Sequence, residues 1–438
     1  MAADSRQLGF WMTWSVVVGT MIGSGIFMLP ASLAPYGLNA IAGWIVSGLG
    51  AVALAYSIGR LARTGEGGIQ SYIEAAFGPF IAFLATFAFW ISSWAALAAV
   101  SIAGAAAIGR LVPALSGDAA VALVAVGMLL FFQVTNALGA RSTGRLAVVA
   151  AVLKILPLAA VLIVLFQVRS GGGEMAPLAS MPLTLDNIAA ASAITLFALL
   201  GFENAAAPVD KVKDPKRTIP RALIAGTVSV ALLYLLVSTA ILLLLPVEVA
   251  SNSNSPFADA IGRGWGGVGL SLAAIAIAVS AAGYVNANIL VCGELGYSMA
   301  LRRELPAFLA RTIGENTPIN AQLLGTALSS SLILANMTKG TAHLFTFMAL
   351  LTACATLWLY FASALAALKQ RPKGAALIAV FGALAFTFFA FYGSGWEANL
   401  WSLALLAAGA AVYFVMRRAN RSSREAAGYP AVPPGSSS

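Results

Sequence analysis

Histidine occurs once and cysteine twice in this chain of 438 residues, and only 9% of its side chains are charged. The first scarcity removes most metal-dependent and histidine-driven chemistry. His343 has no companion ligand, and Cys292 and Cys354 stand in separate apolar stretches without metal-ligand or disulfide spacing. A membrane-embedded enzyme would want paired carboxylates, histidine clusters or an activated serine; scattered acids offer little, and no cofactor or metal is expected. The second scarcity excludes an ordinary soluble domain, which carries roughly 25% charged residues. What is present instead is apolar: 60% of the residues are hydrophobic and the mean hydropathy is +0.89, the composition of a chain whose solvent is lipid.

Apolar stretches of the ~20 residues that a spanning helix needs number about twelve. They cover 10–35, 39–62, 80–110, 119–138, 146–168, 187–208, 219–246, 266–301, 320–338, 341–368, 375–393 and 398–417, the third and eighth being long enough to tilt or to run on into a loop. The first outruns a signal-peptide core and reaches Pro30 without an Ala-x-Ala-like cleavage site, so it is read as retained.

An isoelectric point near 9.8 would suit a nucleic-acid partner, but the cations are distributed otherwise. With a cytoplasmic N-terminus, Arg6, Arg60, Arg63, Arg141, Arg145, Lys211, Lys213, Lys216, Arg217 and Arg221 fall inside. So do Arg302, Arg303, Arg311, Lys369, Arg371, Lys373, Arg417, Arg418, Arg421 and Arg424, making twenty of the 25 Lys and Arg. Only Arg110, Arg169, Arg263 and Lys339 fall outside, and Lys154 lies within a span. That bias accounts for the net charge of +9 with both termini cytoplasmic and no nucleic acid. The Pro/Gly/Ser-rich residues 419–438 read as a disordered cytoplasmic tail.

Two apolar stretches are interrupted where a spanning helix should be most regular. Within the first, Gly19, Gly23 and Gly25 crowd seven residues, and Gly23-Ser24-Gly25 leaves the backbone almost bare. Within the sixth, Gly201 is followed by Phe202 and the ionisable Glu203, a residue type that is costly in lipid and functional by default. These stretches hold the same place in two five-helix blocks, 1–168 and 187–368, with 375–417 adding two further helices. An odd number of spans per block gives the second block inverted topology, and interrupted helices in such repeats point to a substrate site near the bilayer midplane.

A site there follows from backbone dipoles. The outer half of the first helix begins after Gly23-Ser24-Gly25, where bare N–H groups favour a carboxylate. The inner half ends near Met21 and Ile22, and the outer half of the sixth ends near Phe197, Ala198 and Leu200; carbonyls exposed at both ends suit an ammonium group. The competing explanation is close helix packing through Gly19-x-x-x-Gly23. Lys154 stands in Val152–Pro157, where an ammonium group could replace a sodium ion in bracing the first helix against the eighth, exchange its charge during a cycle, or form a static pair with Glu203 or Glu294. Trp90, Trp94, Phe197, Phe202 and Tyr284 are aromatic candidates near the site, and the two phenylalanines flank the second break, where a gate would sit.

At these residues the chain resembles the amino acid–polyamine–organocation superfamily, and within it the bacterial arginine/agmatine antiporters. Gly19–Pro30 and Gly201-Phe202-Glu203 carry the resemblance. So does Lys213-Asp214-Pro215-Lys216-Arg217-Thr218-Ile219-Pro220, similar to the family's K-N/D-P-x-R-x-x-P loop, and Arg302-Arg303-Glu304-Leu305-Pro306, similar to its charged loop after helix eight. The resemblance covers nearly the whole chain. It implies an all-α membrane protein of twelve helices with a leucine-transporter-like 5+5 inverted repeat, broken helices one and six and alternating access. It also implies sodium independence through Lys154, proton sensing and gating by Glu203, a bacterial inner-membrane location and a possible homodimer. The chain departs from the arginine exchangers at three positions. Phe197 stands where they carry a stacking tryptophan, Leu97 where helix three offers an asparagine, and Asn288 where helix eight gives a tryptophan. A phenylalanine keeps a weaker cation–π face, and Leu97 removes a polar handle.

The expected function is therefore exchange of amino acids or their amine derivatives, with proton-coupled symport of neutral amino acids as the alternative. A channel or receptor would want rings of acids or a sensor domain.

Overall fold

The computed structural model describes residues 9–63, 68–138, 153–203, 212–314 and 317–426. Among them every regular element is helical. Apolar runs in lipid must satisfy their backbone groups internally, and helices do this within one segment.

The helices are α1 (Phe10–Met21), α2 (Leu29–Leu33), α3 (Leu38–Leu61), α4 (Ile69–Phe77), α5 (Pro79–Leu111), α6 (Asp118–Ala137), α7 (Ile155–Ser170) and α8 (Leu185–Leu199). They continue as α9 (Pro215–Leu244), α10 (Val247–Ser251), α11 (Pro256–Leu301), α12 (Ile319–Asn336), α13 (Thr341–Lys369), α14 (Ala375–Gly393) and α15 (Gly395–Ala426). Eight are long and apolar enough to cross a membrane: α3, α5, α6, α9, α11, α13, α14 and α15 to Asn420. Three apolar helices are shorter, α1, α7 and α8. α12 is more polar, carrying Asn320, Gln322, Thr326 and Ser329–Ser331.

Punctuation in the sequence explains most boundaries. Proline occupies the first turn of α5, α9 and α11, where its missing N–H costs nothing. Thr184 caps α8 by accepting the Asn187 N–H at 3.2 Å. The expected eighth span begins at residue 266, and there Gly266 (φ 65, ψ −160) kinks α11, leaving Pro256–Trp265 as a separate leg. The last helix runs past the expected boundary at 417 as far as Ala426; the rest of the expected tail, like Arg6, Arg141, Arg145, Lys211 and Asn204, lies outside the described residues.

α5 and α13 form the centre, α5 packing on α11 and α13, while α3 holds α8 and α9. Polar side chains stitch the buried seams. Asn136 of α6 donates to the Asn286 carbonyl and side chain of α11 at 3.2 and 3.0 Å, and Ser92 of α5 shares a 2.6 Å hydrogen bond with Thr356 of α13. Removing Asn136 would take the donor from the buried Asn286 side-chain oxygen, at roughly 1–3 kcal/mol.

Candidate transport site between two broken helices

Both interruptions are real breaks in the backbone. α1 stops at Met21; Ile22 turns away (φ −70, ψ 89), Gly23 is extended (φ −108, ψ 167), and Ser24–Phe27 form a single 3-10 turn. α8 stops at Leu199; Leu200 is extended (φ −68, ψ 157) and Gly201 lies at φ +111, where an L side chain would be strained. The two breaks abut: a Cβ on Gly201 would meet the Thr20 carbonyl oxygen at 2.8 Å. Glycine is therefore required there twice over, by conformation and by space. Among the described residues no packing seam forms through Gly19-x-x-x-Gly23. Of the described residues none lies within 4 Å of a Cβ placed on Gly19, and one placed on Gly23 would make only ordinary contact with the Tyr284 ring at 3.8 Å.

The breaks open on one cavity of about 100 Å³, space for several water-sized groups at ~10–15 Å³ each. Met21, Gly23 and Gly25 line it from the first break, and Phe197, Ala198, Leu200, Gly201 and Glu203 from the second. Tyr284, Asn288 and Val291 of α11 and Thr352 of α13 close the sides. α5 contributes Phe89, Ser92, Ser93, Ala96 and Val100, spaced as one face of a helix.

That register corrects part of the expected set. Trp90, Trp94 and Leu97 are buried but turn away from the cavity, because they lie one position off the lining face. Trp90 Nε1 instead donates to the Cys292 carbonyl at 3.1 Å. Phe202 also points elsewhere and stacks on Tyr360, centroids 5.2 Å apart, and Ile22 packs into the core without lining the space. The Ser24 side chain lies outside the described set. Missing from the expected set were Ser92 and Ser93, which look in sequence like any small residues of an apolar helix. Ser93 has only the weak thiol of Cys292 beside its hydroxyl and no stronger partner among the described residues. Asn288 donates to the Ser93 carbonyl at 3.1 Å, tying α11 to this wall.

Two ionisable groups hold the breaks. Glu203 is 4% exposed; it accepts the Gly201 N–H at 3.0 and 3.2 Å and the Tyr360 hydroxyl at 2.7 Å. Lys154, the residue immediately before α7, donates to the Gly19 carbonyl at 2.6 Å. It takes part in none of the four ion pairs among the described residues, and Glu294 is exposed on α11, so the static carboxylate pair is not formed. The carbonyls at the end of α1 are less free than the sequence suggests: Lys154 takes Gly19, and the Tyr234 hydroxyl donates to Met21 at 3.1 Å. Each retains a second lone pair.

Paired helix interruptions facing one cavity, with bare peptide groups and few charges, are the layout of a secondary-transporter substrate site. The sequence profile of the amino acid permease family matches residues 8–421. The chain belongs to this family. It is thus a multi-pass membrane protein of the amino acid–polyamine–organocation superfamily. The permease is similar to the putrescine transporter PotE of Haemophilus influenzae, 26% identical over 419 residues that cover 92% of this chain and 95% of that one. It is 30% identical over 249 residues to PotE of Escherichia coli K12 and 31% identical over 240 residues to the cadaverine/lysine antiporter of the same strain. The chain spans about half the length of these two relatives, 55% and 53%.

Proposed function

We propose that the permease is a sodium-independent antiporter of amino acids or their amine derivatives that works by alternating access. The observation that carries this reading is the shared cavity of the two breaks, with the Lys154 ammonium already seated on the Gly19 carbonyl. A fixed cation on α1 does the bracing that a bound sodium ion would otherwise have to do. Bare backbone at Gly23 and Gly25 suits a carboxylate, the remaining carbonyl lone pairs suit an ammonium, and Phe197 and Tyr284 offer ring faces to a second cationic end. Glu203, the acid at the cavity, takes or releases a proton as the breaks rearrange. The similarity to a putrescine transporter and a cadaverine/lysine antiporter agrees with a cationic substrate.

The same reading takes the chain as twelve spans in two inverted five-helix repeats, 1–168 and 187–368, with 375–417 appended. Both termini lie in the cytoplasm of a bacterium, and two copies could pair in the inner membrane. The cation distribution supports that orientation.

Counterflow tests it. Proteoliposomes are loaded with lysine, cadaverine, putrescine, arginine, agmatine or a neutral amino acid, and uptake of labelled external substrate is followed without sodium. Uptake that needs an internal cationic partner supports exchange. The apolar wall of Ala96, Val100, Ala198 and Val291 favours a second reading, proton symport of a neutral amino acid. Uptake into unloaded vesicles driven by a pH gradient would select it.

A further inference from the structure

We propose that a second pocket, where the start of α13 meets the α14–α15 turn, binds a primary ammonium group in the place now held by Lys339. The pocket has a volume of about 510 Å³ beside that side chain and is lined by Lys339, His343, Phe347, Ser394, Trp396 and Glu397 among others. The Lys339 ammonium lies 4.2 Å from the Phe347 ring centroid and is ion-paired with Glu397. A carboxylate and an aromatic face around one nitrogen are what recognition of an organic ammonium requires. Trp396, 78% exposed, adds a second aromatic surface at the rim. Lys339 ends a short 3-10 turn followed by Gly340 at φ +78, so its side chain can swing out while α13 stays in place. Glu397 is then left as an unpaired acid, and a cation from solution or from a lipid fills the vacancy.

The pocket is also joined to the gate of the central site. Thr346, another lining residue, shares a 2.6 Å hydrogen bond with Ser32 of α2, beyond the first break. Its neighbour Phe345 packs edge-on against Phe197, centroids 5.8 Å apart. Phe347, which Lys339 covers, thus follows directly on the two α13 residues that touch Ser32 and the cavity-lining ring. In the orientation proposed above this pocket faces outside; its ability to bind does not depend on that orientation or on the antiport reading.

An ammonium group can come from a soluble amine or from a phosphatidylethanolamine headgroup, and fluorine NMR separates the two. The full chain is labelled with fluorotryptophan in phosphatidylcholine nanodiscs, and the resonance lost in Trp396→Phe identifies Trp396. Titration with butylamine should shift that resonance saturably in the parent. In Lys339→Met, which keeps the length and loses the competing charge, the shift should come at roughly tenfold lower amine, and Glu397→Gln should abolish it. A shift on adding phosphatidylethanolamine without amine identifies the headgroup as the source; a response to butylamine alone identifies a soluble amine. A Trp396 resonance that neither ligand moves in the parent or in Lys339→Met overturns the proposal, as does a shift indifferent to Glu397→Gln.

Discussion

Gly25 and Phe197 share one space: a Cβ on Gly25 would stand 2.5 Å from Cε1 and 3.0 Å from Cζ of the phenylalanine ring. The ring that closes α8 thus rests on bare peptide of the first break, and the two interruptions are sized to each other. Gly25→Val should abolish uptake, because the ring cannot stay and the backbone is covered. Gly25→Ala should lose most of it, at an overpacking cost of roughly 1–3 kcal/mol, and Phe197→Ala in that background should restore part. Parent-like counterflow by Gly25→Val would remove the carboxylate site.

Lys154 gives a test of ion coupling. Lys154→Ala loses a charged hydrogen bond to the Gly19 carbonyl, worth about 1.5–3 kcal/mol, and should lower exchange strongly while the protein stays folded. Sodium should not stimulate the parent. A sodium requirement in wild-type vesicles contradicts the bracing role.

Glu203→Gln should change the pH dependence of exchange, since it replaces the acid that receives Gly201 and Tyr360. Tyr360→Phe keeps the Phe202 stack but removes one donor, and should alter the same profile without loss of folding. The check is exchange rate against pH; two profiles superimposable on the parent's leave Glu203 no proton role.

The register of α5 separates binding from packing. Ser93→Ala should weaken substrate affinity roughly three- to tenfold, the size of one hydrogen bond, with little effect on stability. Trp94→Phe should leave KM unchanged because its ring faces away from the cavity. The opposite pattern in a binding titration would invalidate the assigned wall.

Outside the spans, Arg302 clasps Glu74 of α4 and lies 3.1 Å from Glu304, which also accepts from Gln70 at 3.5 Å. Burial raises the Glu304 carboxyl above its ordinary value, against the opposing pull of Arg302 and Gln70. A raised carboxyl binds its proton more tightly folded than unfolded. Its contribution to stability is therefore complete below the unfolded value of about 4.3 and is lost as pH rises through the folded value. Thermal unfolding against pH should show that decline in the parent and a flatter curve in Glu304→Gln.

Both helix breaks were legible in the sequence because glycine weakens a helix wherever it stands, and an acid at membrane depth is conspicuous without coordinates. Lys154, Glu203, Gly25 and Phe197 could be singled out on the same grounds. The wall from α5 was not legible. Trp90, Trp94 and Leu97 are larger and more distinctive than Ser92, Ser93 and Ala96, yet a rotation of one residue about the helix axis exchanges the two sets, and nothing in a uniformly apolar helix fixes that rotation.

Composition and local backbone preference, then, determined by themselves that this chain lives in lipid, that it is helical, and where two of its helices must fail. Both properties are short-range: they depend on what each residue can do with solvent and with its own peptide bonds. Only the tertiary structure decided which faces look into the cavity, that Tyr234 and Lys154 occupy carbonyls the sequence left open, and that Thr346 and Phe345, beside the Lys339 pocket, touch Ser32 and Phe197. Those outcomes depend on how distant helices rotate and pack against one another, a choice set by the fit of all neighbouring side chains at once.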